Sequence, residues 1–304
     1  MNFWMLKIAF DPIYIHPLPP GHRFPMLKYE LIPEQLLHEG LITSENLFSP
    51  GVVEEELILL THEKNYWEQL RDITLPKNEQ RRIGLPLSLS LVERESRITK
   101  GTIDGCIFAF EHGVAVNAAG GTHHAGTNWG EGFCLLNDQS IAANYLLNKK
   151  LAKSILIIDL DVHQGNGTAE IFKNKPAVFT FSMHGANNFP FRKEQSDLDI
   201  PLRDNTSGEE YLQLLKTTLP QLISQQQPDF IFYLAGVDVL ETDKLGKLAL
   251  SKENCRDRDR IVFELAIENK IPVQVSMGGG YSAEIKDIIE AHCNTYRIAN
   301  ELFF

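Results

Sequence analysis

The chain has 304 residues, 43% of them hydrophobic, and a formal net charge of −11. This content is ample for a buried core, and the excess of acids argues against direct binding to the phosphate backbone of nucleic acid. The four cysteines form no CxxC pair, which argues against a disulfide framework and against a cysteine-rich zinc site. The apolar N-terminal run, residues 1–10, is short and broken by Lys7, so we interpret it as a first strand rather than a signal peptide. Because no run reaches the length of a membrane span, we expect a cytoplasmic protein without a membrane partner.

Short apolar runs alternate with helical patterns along the chain. The predicted strands cover residues 6–10, 106–110, 154–160, 177–182, 230–235 and 272–277. The predicted helices cover residues 30–39, 65–71, 135–149, 208–226 and 256–269. Strands that alternate with helices and lack polar alternation predict an α/β fold with a central, mostly parallel sheet and helices on both faces. No repeat or linker divides residues 1–304, so we predict a single domain.

Two segments are unusual for simple connections. Residues 11–29 carry five prolines together with His16, His22 and Arg23, and residues 184–206 are polar and aromatic. Long irregular loops in a compact domain are often functional.

Acids and an imidazole follow two of the apolar runs. Asp159, Asp161 and His163 end one run, and Asp238 follows another. A lone acid or imidazole after a strand is at least as often a helix cap or a turn residue. However, the carboxyl ends of parallel strands meet at one edge of the sheet, and residues two apart on a strand point to the same face. Two carboxylates and one imidazole, with an open position for water, are typical of a catalytic zinc site.

Histidines and a tyrosine follow glycines after two further apolar segments. His123 and His124 come after residues 114–119 and two glycines, and Tyr281 comes after three glycines. The histidines alone are compatible with a structural pair, and the glycines before Tyr281 with a flexible turn. In a catalytic site, one histidine can take a proton from water while its neighbour stays charged or orients it. A phenol can donate a hydrogen bond to a developing oxyanion.

Five segments occur in a specific order. They are residues 121–125 (GTHHA), 130–138 (GEGFCLLND), 159–168 (DLDVHQGNGT), 235–238 (AGVD) and 278–281 (GGGY). Together they resemble the histone deacetylase family of zinc amidohydrolases, which includes acetoin-utilisation proteins and acetylpolyamine amidohydrolases. Residues 18–26 and the Gln164-Gly165-Asn166 variant are most similar to the class IV branch and its bacterial relatives. The resemblance covers most of the chain and implies an arginase/deacetylase-like fold.

The resemblance implies a role for the residues in these segments. The residues implied to bind zinc, with Fe²⁺ as the alternative ion, are Asp161, His163 and Asp238. The residues implied in catalysis are His123 paired with Asp159, His124 paired with Asn166 as general base and acid, and Tyr281, which would polarise the scissile carbonyl.

The resemblance also implies three features around this centre. The residues implied to line an acyl-lysine tunnel are Phe133 on one wall, Phe189 or Phe191 on the other, Gly132 and Gly279. The residue implied to line an internal acetate channel is Arg23. The residues implied to hold a structural potassium ion are Asp159, Asp161, His163, Ser182 and Met183.

Asn166 departs from many relatives, which carry an aspartate at this position. An aspartate would raise the pKa of His124, whereas a neutral amide supports the charged ring less. We therefore expect His124 to be neutral at working pH and well suited to act as a base.

The implied reaction removes an acetyl or longer acyl group from a lysine side chain of a peptide or protein. An acylated small amine, such as an acetylpolyamine, is the alternative substrate, and a catalytically silent acyl-lysine-binding module is the alternative function. An arginase-like site with two metal ions is disfavoured, because Gly165 and Leu240 stand where further acids are needed. The insertion that builds dimers in polyamine-directed relatives has no obvious counterpart here, which favours a monomer.

Overall fold

The computed structural model describes residues 4–304, and in this range eight strands form one sheet. The strands are β1 (Lys7–Ala9), β2 (Leu47–Phe48), β3 (Val114–Asn117), β4 (Ile155–Asp159), β5 (Val178–Gly185), β6 (Leu198–Leu202), β7 (Phe230–Leu234) and β8 (Val273–Ser276). They lie in the order β2-β1-β3-β8-β7-β4-β5-β6, and every neighbouring pair is parallel. The parallel sheet confirms the predicted fold class. It also brings the carboxyl ends of β3, β8, β7 and β4 together at its centre.

Helices cover both faces of this sheet. They are α1 (Lys28–His38), α2 (Glu55–Ile58), α3 (Lys64–Arg71), α4 (Lys77–Ile83), α5 (Leu89–His112), α6 (Asp138–Asn148), α7 (Asn166–Phe172), α8 (Gly208–Gln226), α9 (Lys252–Asn269) and α10 (Ile285–Phe303). Gly105 of α5 packs against the side chain of Gln274, whereas Tyr233 donates its hydroxyl to Asp259 of α9. Tyr233 is paired with Val275, the neighbour of Gln274, and consecutive strand residues point to opposite faces. Helices α5 and α9 therefore lie on opposite sides of the sheet.

The predicted strand at residues 106–110 is wrong, because this segment is the last part of α5. The helix begins after Ser88, whose hydroxyl accepts a hydrogen bond from the amide of Leu91, and ends at Gly113 with a φ of 87°. Cys106 and Ala109 are buried, three residues apart as on a helix face, while Phe110 is partly exposed. A short apolar run fits a strand or a buried helix equally well, and only the caps distinguish them.

Other boundaries agree more closely with the prediction. Helix α8 has the predicted bounds, and α6 begins three residues later than predicted because the side chain of Asn137 caps it. Helix α10 was not predicted. The segment 184–206, expected to be a long loop, contains strand β6. At the N-terminus, Lys7–Ala9 form β1, and residues 1–3 of the predicted first strand lie outside the described residues.

No helix between residues 4 and 304 is both long enough and apolar enough to cross a membrane.

Candidate active site

Three buried side chains converge beyond the ends of β4 and β7. Asp161 and His163 follow β4, and Asp238 follows β7, the strand that pairs with it. Nδ1 of His163 lies 3.0 Å from Oδ1 of Asp161 and 3.1 Å from Oδ2 of Asp238. Asp161 and His163 lie just past the last strand residue rather than on the strand, but their side chains still meet. The three donor atoms lie within 4.8 Å of one another, so this group could hold a metal ion.

The surroundings of the two carboxylates fit a divalent cation. The amide of Gly279 donates to Oδ2 of Asp161 at 2.7 Å, and the amide of Val162 donates to Oδ1 of Asp238 at 2.9 Å. These bonds leave one oxygen of each carboxylate directed at the His163 ring. A side chain at position 279 would collide with the Asp238 carboxylate. Burial, together with the nearby Asp161 charge, raises the pKa of Asp238 to about 7. Two buried acids this close need a shared cation or a proton to offset the cost of their burial.

The tandem histidines reach this centre from the end of β3. The backbone at Gly121 has a φ of 76°, and a Cβ there would lie 2.9 Å from the Gly278 backbone. Only glycine allows the two strand ends to approach so closely. His123 then contacts Asp159, with 2.7 Å between Nδ1 and Oδ2. The rings of His123 and His124 lie 4.1 Å apart.

Asp138, which was not predicted as a site residue, fixes the turn before the histidines. Its Oδ1 accepts hydrogen bonds from the amides of Gly121 and Thr122, both at 2.9 Å, and from the Thr122 hydroxyl at 2.8 Å. The available signal was its position at the end of the 130–138 segment, which occurs in the family's order.

His124 is held by an amide rather than by a carboxylate. Its Nδ1 lies 2.7 Å from Oδ1 of Asn166, and Nδ2 of Asn166 donates to Oε1 of Glu131 at 2.6 Å. The second oxygen of Glu131 accepts from Arg82 at 3.1 Å. Because Glu131 engages the NH₂ group, the amide oxygen of Asn166 faces His124 and accepts the Nδ1 proton. The Nε2 atom of His124 is then the unprotonated nitrogen.

The two histidines have opposite pKa shifts. Burial lowers the pKa of His124 well below its usual value, and the charges of His123 and His163 lower it further. Burial also opposes the charged form of His123, but the Asp159 carboxylate outweighs it, so the pKa of His123 is raised.

Tyr281 and two phenylalanines surround the path to these residues. The Tyr281 ring lies 6.3 Å from the His163 ring and 6.0 Å from the Phe133 ring. The Phe189 ring packs edge-on against His124 at 4.9 Å. An outer pocket of about 380 Å³ is lined by all five of these side chains.

The remaining predicted tunnel residues divide between this pocket and a smaller cavity behind it. Gly132 lines both, Gly279 lines only the inner cavity of about 40 Å³, and Phe191 lies at the outer rim with 90% of its surface exposed. Phe189 is thus the less exposed of the two phenylalanines, and the role of either as a wall of an acyl-lysine tunnel stays a prediction.

Arg23 does not lie where the acetate-channel prediction placed it. Its side chain is exposed, its guanidinium lies 5.0 Å above the Phe133 ring, and it lines the outer pocket. The inner cavity is lined instead by the buried Arg94, together with Tyr29 and Phe24. The reason is local, because Phe24 is buried and its neighbour Arg23 projects to the solvent side.

Lys28 is a second cation that sequence reasoning missed. It is fully buried, and its Nζ donates to the carbonyl oxygen of Gly278 at 3.0 Å. Burial lowers the pKa of Lys28 to about 8, against the opposing influence of the Asp238 and Asp161 charges. A lysine inside a helical stretch gives no local sign of burial, so the sequence carried no signal for it.

The residues predicted to hold potassium are adjacent in the sheet. Asp159 of β4 is the register partner of Ser182 of β5, and the buried Met183 follows it. The Ser182 hydroxyl lies 2.9 Å from Nδ1 of His184. The potassium site itself stays a prediction.

Comparison with known proteins agrees with this geometry. The model of the histone deacetylase domain family matches residues 22–296. An uncharacterized protein of Picosynechococcus sp. (strain ATCC 27264 / PCC 7002 / PR-6) is 43% identical over 296 residues, covering 97% of this chain and 99% of that protein. Histone deacetylase 2 of Arabidopsis thaliana is 28% identical over 269 residues, covering 86% of this chain and 70% of that protein. A crystal structure of an HDAC homolog complexed with SAHA has a TM-score of 0.83 at 26% identity, covering 98% of this chain and 84% of that chain. The chain therefore belongs to the histone deacetylase family.

Proposed function

We propose that this protein is a zinc-dependent deacylase that hydrolyses the amide bond between an acyl group and a lysine side chain. Family membership supports a deacetylase. The observation that carries the proposal is the buried group of Asp161, His163 and Asp238 beside the tandem histidines and Tyr281. Of these side chains, His124, His163 and Tyr281 also line the aromatic outer pocket, which opens to solvent.

The donor set suits zinc, because carboxylate and imidazole ligands are those that a catalytic zinc site uses. A divalent ion held by Asp161, His163 and Asp238 would supply Lewis acidity, lowering the pKa of water and polarising a carbonyl. Iron accepts the same ligands and is the alternative ion.

His124 acts as the general base in this mechanism. Its low pKa keeps the ring neutral at pH 7, and the contact with Asn166 leaves Nε2 free to accept a proton from the attacking water. Once protonated, His124 can return that proton to the leaving amine. His123, whose pKa is raised by Asp159, supplies a positive charge beside the reacting atoms.

Tyr281 donates a hydrogen bond to the oxyanion that develops on the substrate carbonyl. Burial, and then the charges of Asp238 and Asp161, raise the pKa of its phenol well above the usual value. The hydroxyl therefore stays protonated over the working pH range and remains a donor.

The outer pocket suits the apolar part of an acylated lysine. Phe133 and Phe189 line it, and their rings can pack on the methylene chain while the amide reaches His124 and Tyr281. The inner cavity of about 40 Å³ lies beyond the point where these side chains meet and is the space available to the acyl end.

The test is a panel of acyl-lysine peptides, from acetyl to myristoyl, assayed for release of the free amine. We expect turnover of at least one member, loss of activity after chelation, and recovery when zinc is added. Asp238→Asn should lose both turnover and zinc binding, whereas Asp229→Asn, far from the site, should retain both. Peptide binding without turnover in the zinc-loaded protein would instead identify a silent acyl-lysine-binding module.

A further inference from the structure

We propose that the rim of the outer pocket binds a carboxylate, so that the enzyme selects acylated amines whose carrier bears a carboxylate at the mouth of the pocket. This inference rests on the proposed deacylase function and specifies its substrate class. It predicts that acidic carriers are preferred over polycationic ones, such as acylated polyamines and basic protein tails.

The charged side chains at the rim of the outer pocket are all basic. Arg23, Arg82 and Lys247 line the outer pocket, and no acidic side chain lines it within residues 4–304. This is a local reversal, because the chain as a whole carries a formal charge of −11. Three cations around one opening, on a protein that is acidic overall, favour the approach of anions to the pocket over that of cations.

Arg23 is the best placed of the three to bind a carboxylate. Among the described residues it forms no ion pair, and its guanidinium lies 5.0 Å above the ring of Phe133, a wall of the pocket. Stacking on an aromatic face holds the planar group in place while leaving its edge available. That edge matches a carboxylate with two parallel hydrogen bonds.

Each of the other two cations has a carboxylate partner. Arg82 contacts Glu131, whose side chain is only 14% exposed and also accepts from Asn166. Lys247 lies 3.8 Å from Asp204, and both side chains are well exposed. Exposed pairs of this kind are weak, so Lys247 can exchange Asp204 for a substrate carboxylate at little cost.

The position of these cations defines which part of the substrate they meet. The acyl group and its amide pass between Phe133 and Phe189 towards the buried centre, so the rim faces the carrier of the amine. A carboxylate there has two sources: a flanking aspartate or glutamate of a peptide, or the α-carboxylate of free Nε-acyl-lysine.

The experiment compares kcat/KM for matched acyl-lysine peptides flanked by aspartate, by serine or by lysine, at low and high salt. Nα-blocked Nε-acetyl-lysine and its α-amide, which differ only in the carboxylate, form a second pair that distinguishes the two sources. We expect the acidic peptide to exceed the basic one by about tenfold at low salt, with the ratio shrinking as salt screens the rim. The affinities of the same peptides are measured in parallel by fluorescence anisotropy. The charge preference is then decided even if no peptide is turned over.

Charge reversal locates the effect. Arg23→Glu should invert the preference and Arg23→Gln should reduce it, while Lys216→Glu, an equal change of charge on the exposed surface of α8, should leave the ratio as in the wild type. Equal rates and equal binding for acidic and basic peptides would overturn the proposal, as would a preference that survives Arg23→Glu. Absence of turnover with a clear binding preference would reject the deacylase function and keep the carboxylate site.

Discussion

Two adjacent histidines in the site have different hydrogen-bond partners. His123 contacts Asp159, on what we call the Asp159 side, and His124 contacts Asn166, on the Asn166 side. His123 and His124 are equally buried, with 5% and 4% of their surfaces exposed, and each Nδ1 has one hydrogen-bond partner at 2.7 Å. Yet the pKa of His123 is raised and that of His124 is lowered. Since burial acts on both, the charge of the partner decides the direction.

The difference assigns two tasks to one dipeptide. A ring beside a buried carboxylate keeps its proton and supplies positive charge, whereas a ring beside an amide stays neutral and can accept a proton. Pairs of titratable groups whose surroundings separate their pKa values are typical of acid and base assignments in enzymes.

The largest expected effect is from removing the base. His124→Ala should lower kcat by ~10²–10⁴, the contribution of a positioned general base. His123→Ala should lower kcat by a smaller factor, because it removes a charge beside the reacting atoms but leaves the proton acceptor, His124, in place. Steady-state kinetics on the best acyl-lysine peptide, with metal content checked for each variant, measures both. A larger loss for His123→Ala would reverse the assignment.

The second expected effect concerns Tyr281, which contacts neither Asp159 nor Asn166. Tyr281→Phe should lower kcat by ~10²–10³, the cost of one oxyanion donor. Because the phenol stays protonated over the working pH range, the acid limb of the pH–rate profile should not move. This separates Tyr281 from the histidines, whose replacement removes or shifts that limb. A variant with unimpaired kcat would exclude the oxyanion role.

Much of this site could be predicted from the sequence, because its residues follow strands. In a parallel sheet, the ends of the runs before Asp161, Asp238 and Tyr281 meet at one edge. Arg23 and Lys28 were beyond that reasoning. Both belong to the segment around the start of α1, where no periodic pattern tells which side chain faces the cavity and which faces solvent.

Much of the fold could also be predicted from the sequence. Strands buried on both faces appear as unbroken apolar runs, which is why β4 and β7 were placed correctly. The same rule failed at residues 106–110, where the sheet and α5 bury their apolar sides against each other. Strand β6 (LDIPL) does not follow this rule, because Asp199 and Pro201 interrupt its apolar residues and only Leu202 is buried.

Converting the Asn166 side into a copy of the Asp159 side gives the third prediction. In Asn166→Asp, a carboxylate next to Nδ1 raises the pKa of His124, so the ring stays protonated to higher pH and the base is lost sooner on acidification. The acid limb of kcat/KM should therefore move to higher pH, by about one unit or more. The reciprocal change, Asp159→Asn, removes a negative charge and should not raise the limb. An acid limb unmoved in Asn166→Asp would count against the role of the amide.

The smallest expected effect is at Glu131, which orients the amide without touching the ring. In Glu131→Gln, the NH₂ group of Asn166 loses its charged acceptor, and the amide can turn its nitrogen towards His124. That orientation favours a proton on Nε2 and blocks the base, so kcat should fall by about two- to tenfold, the value of one hydrogen bond. Arg82→Gln, which leaves the Glu131–Asn166 contact in place, is the matched control on an uncharged peptide.

The two substitutions on this side should not be additive. With Asp at position 166 and Glu131 retained, two carboxylates meet where an amide now donates at 2.6 Å, and their repulsion raises the pKa of one of them. Glu131→Gln supplies a donor that keeps the new aspartate ionised against Nδ1 of His124. On the pH plateau above the acid limb, it should therefore lower kcat in the wild type and raise it in Asn166→Asp. A double-mutant cycle on kcat measures this change of sign. Equal losses in both backgrounds would show that Glu131 acts on the site by some route other than the orientation of Asn166.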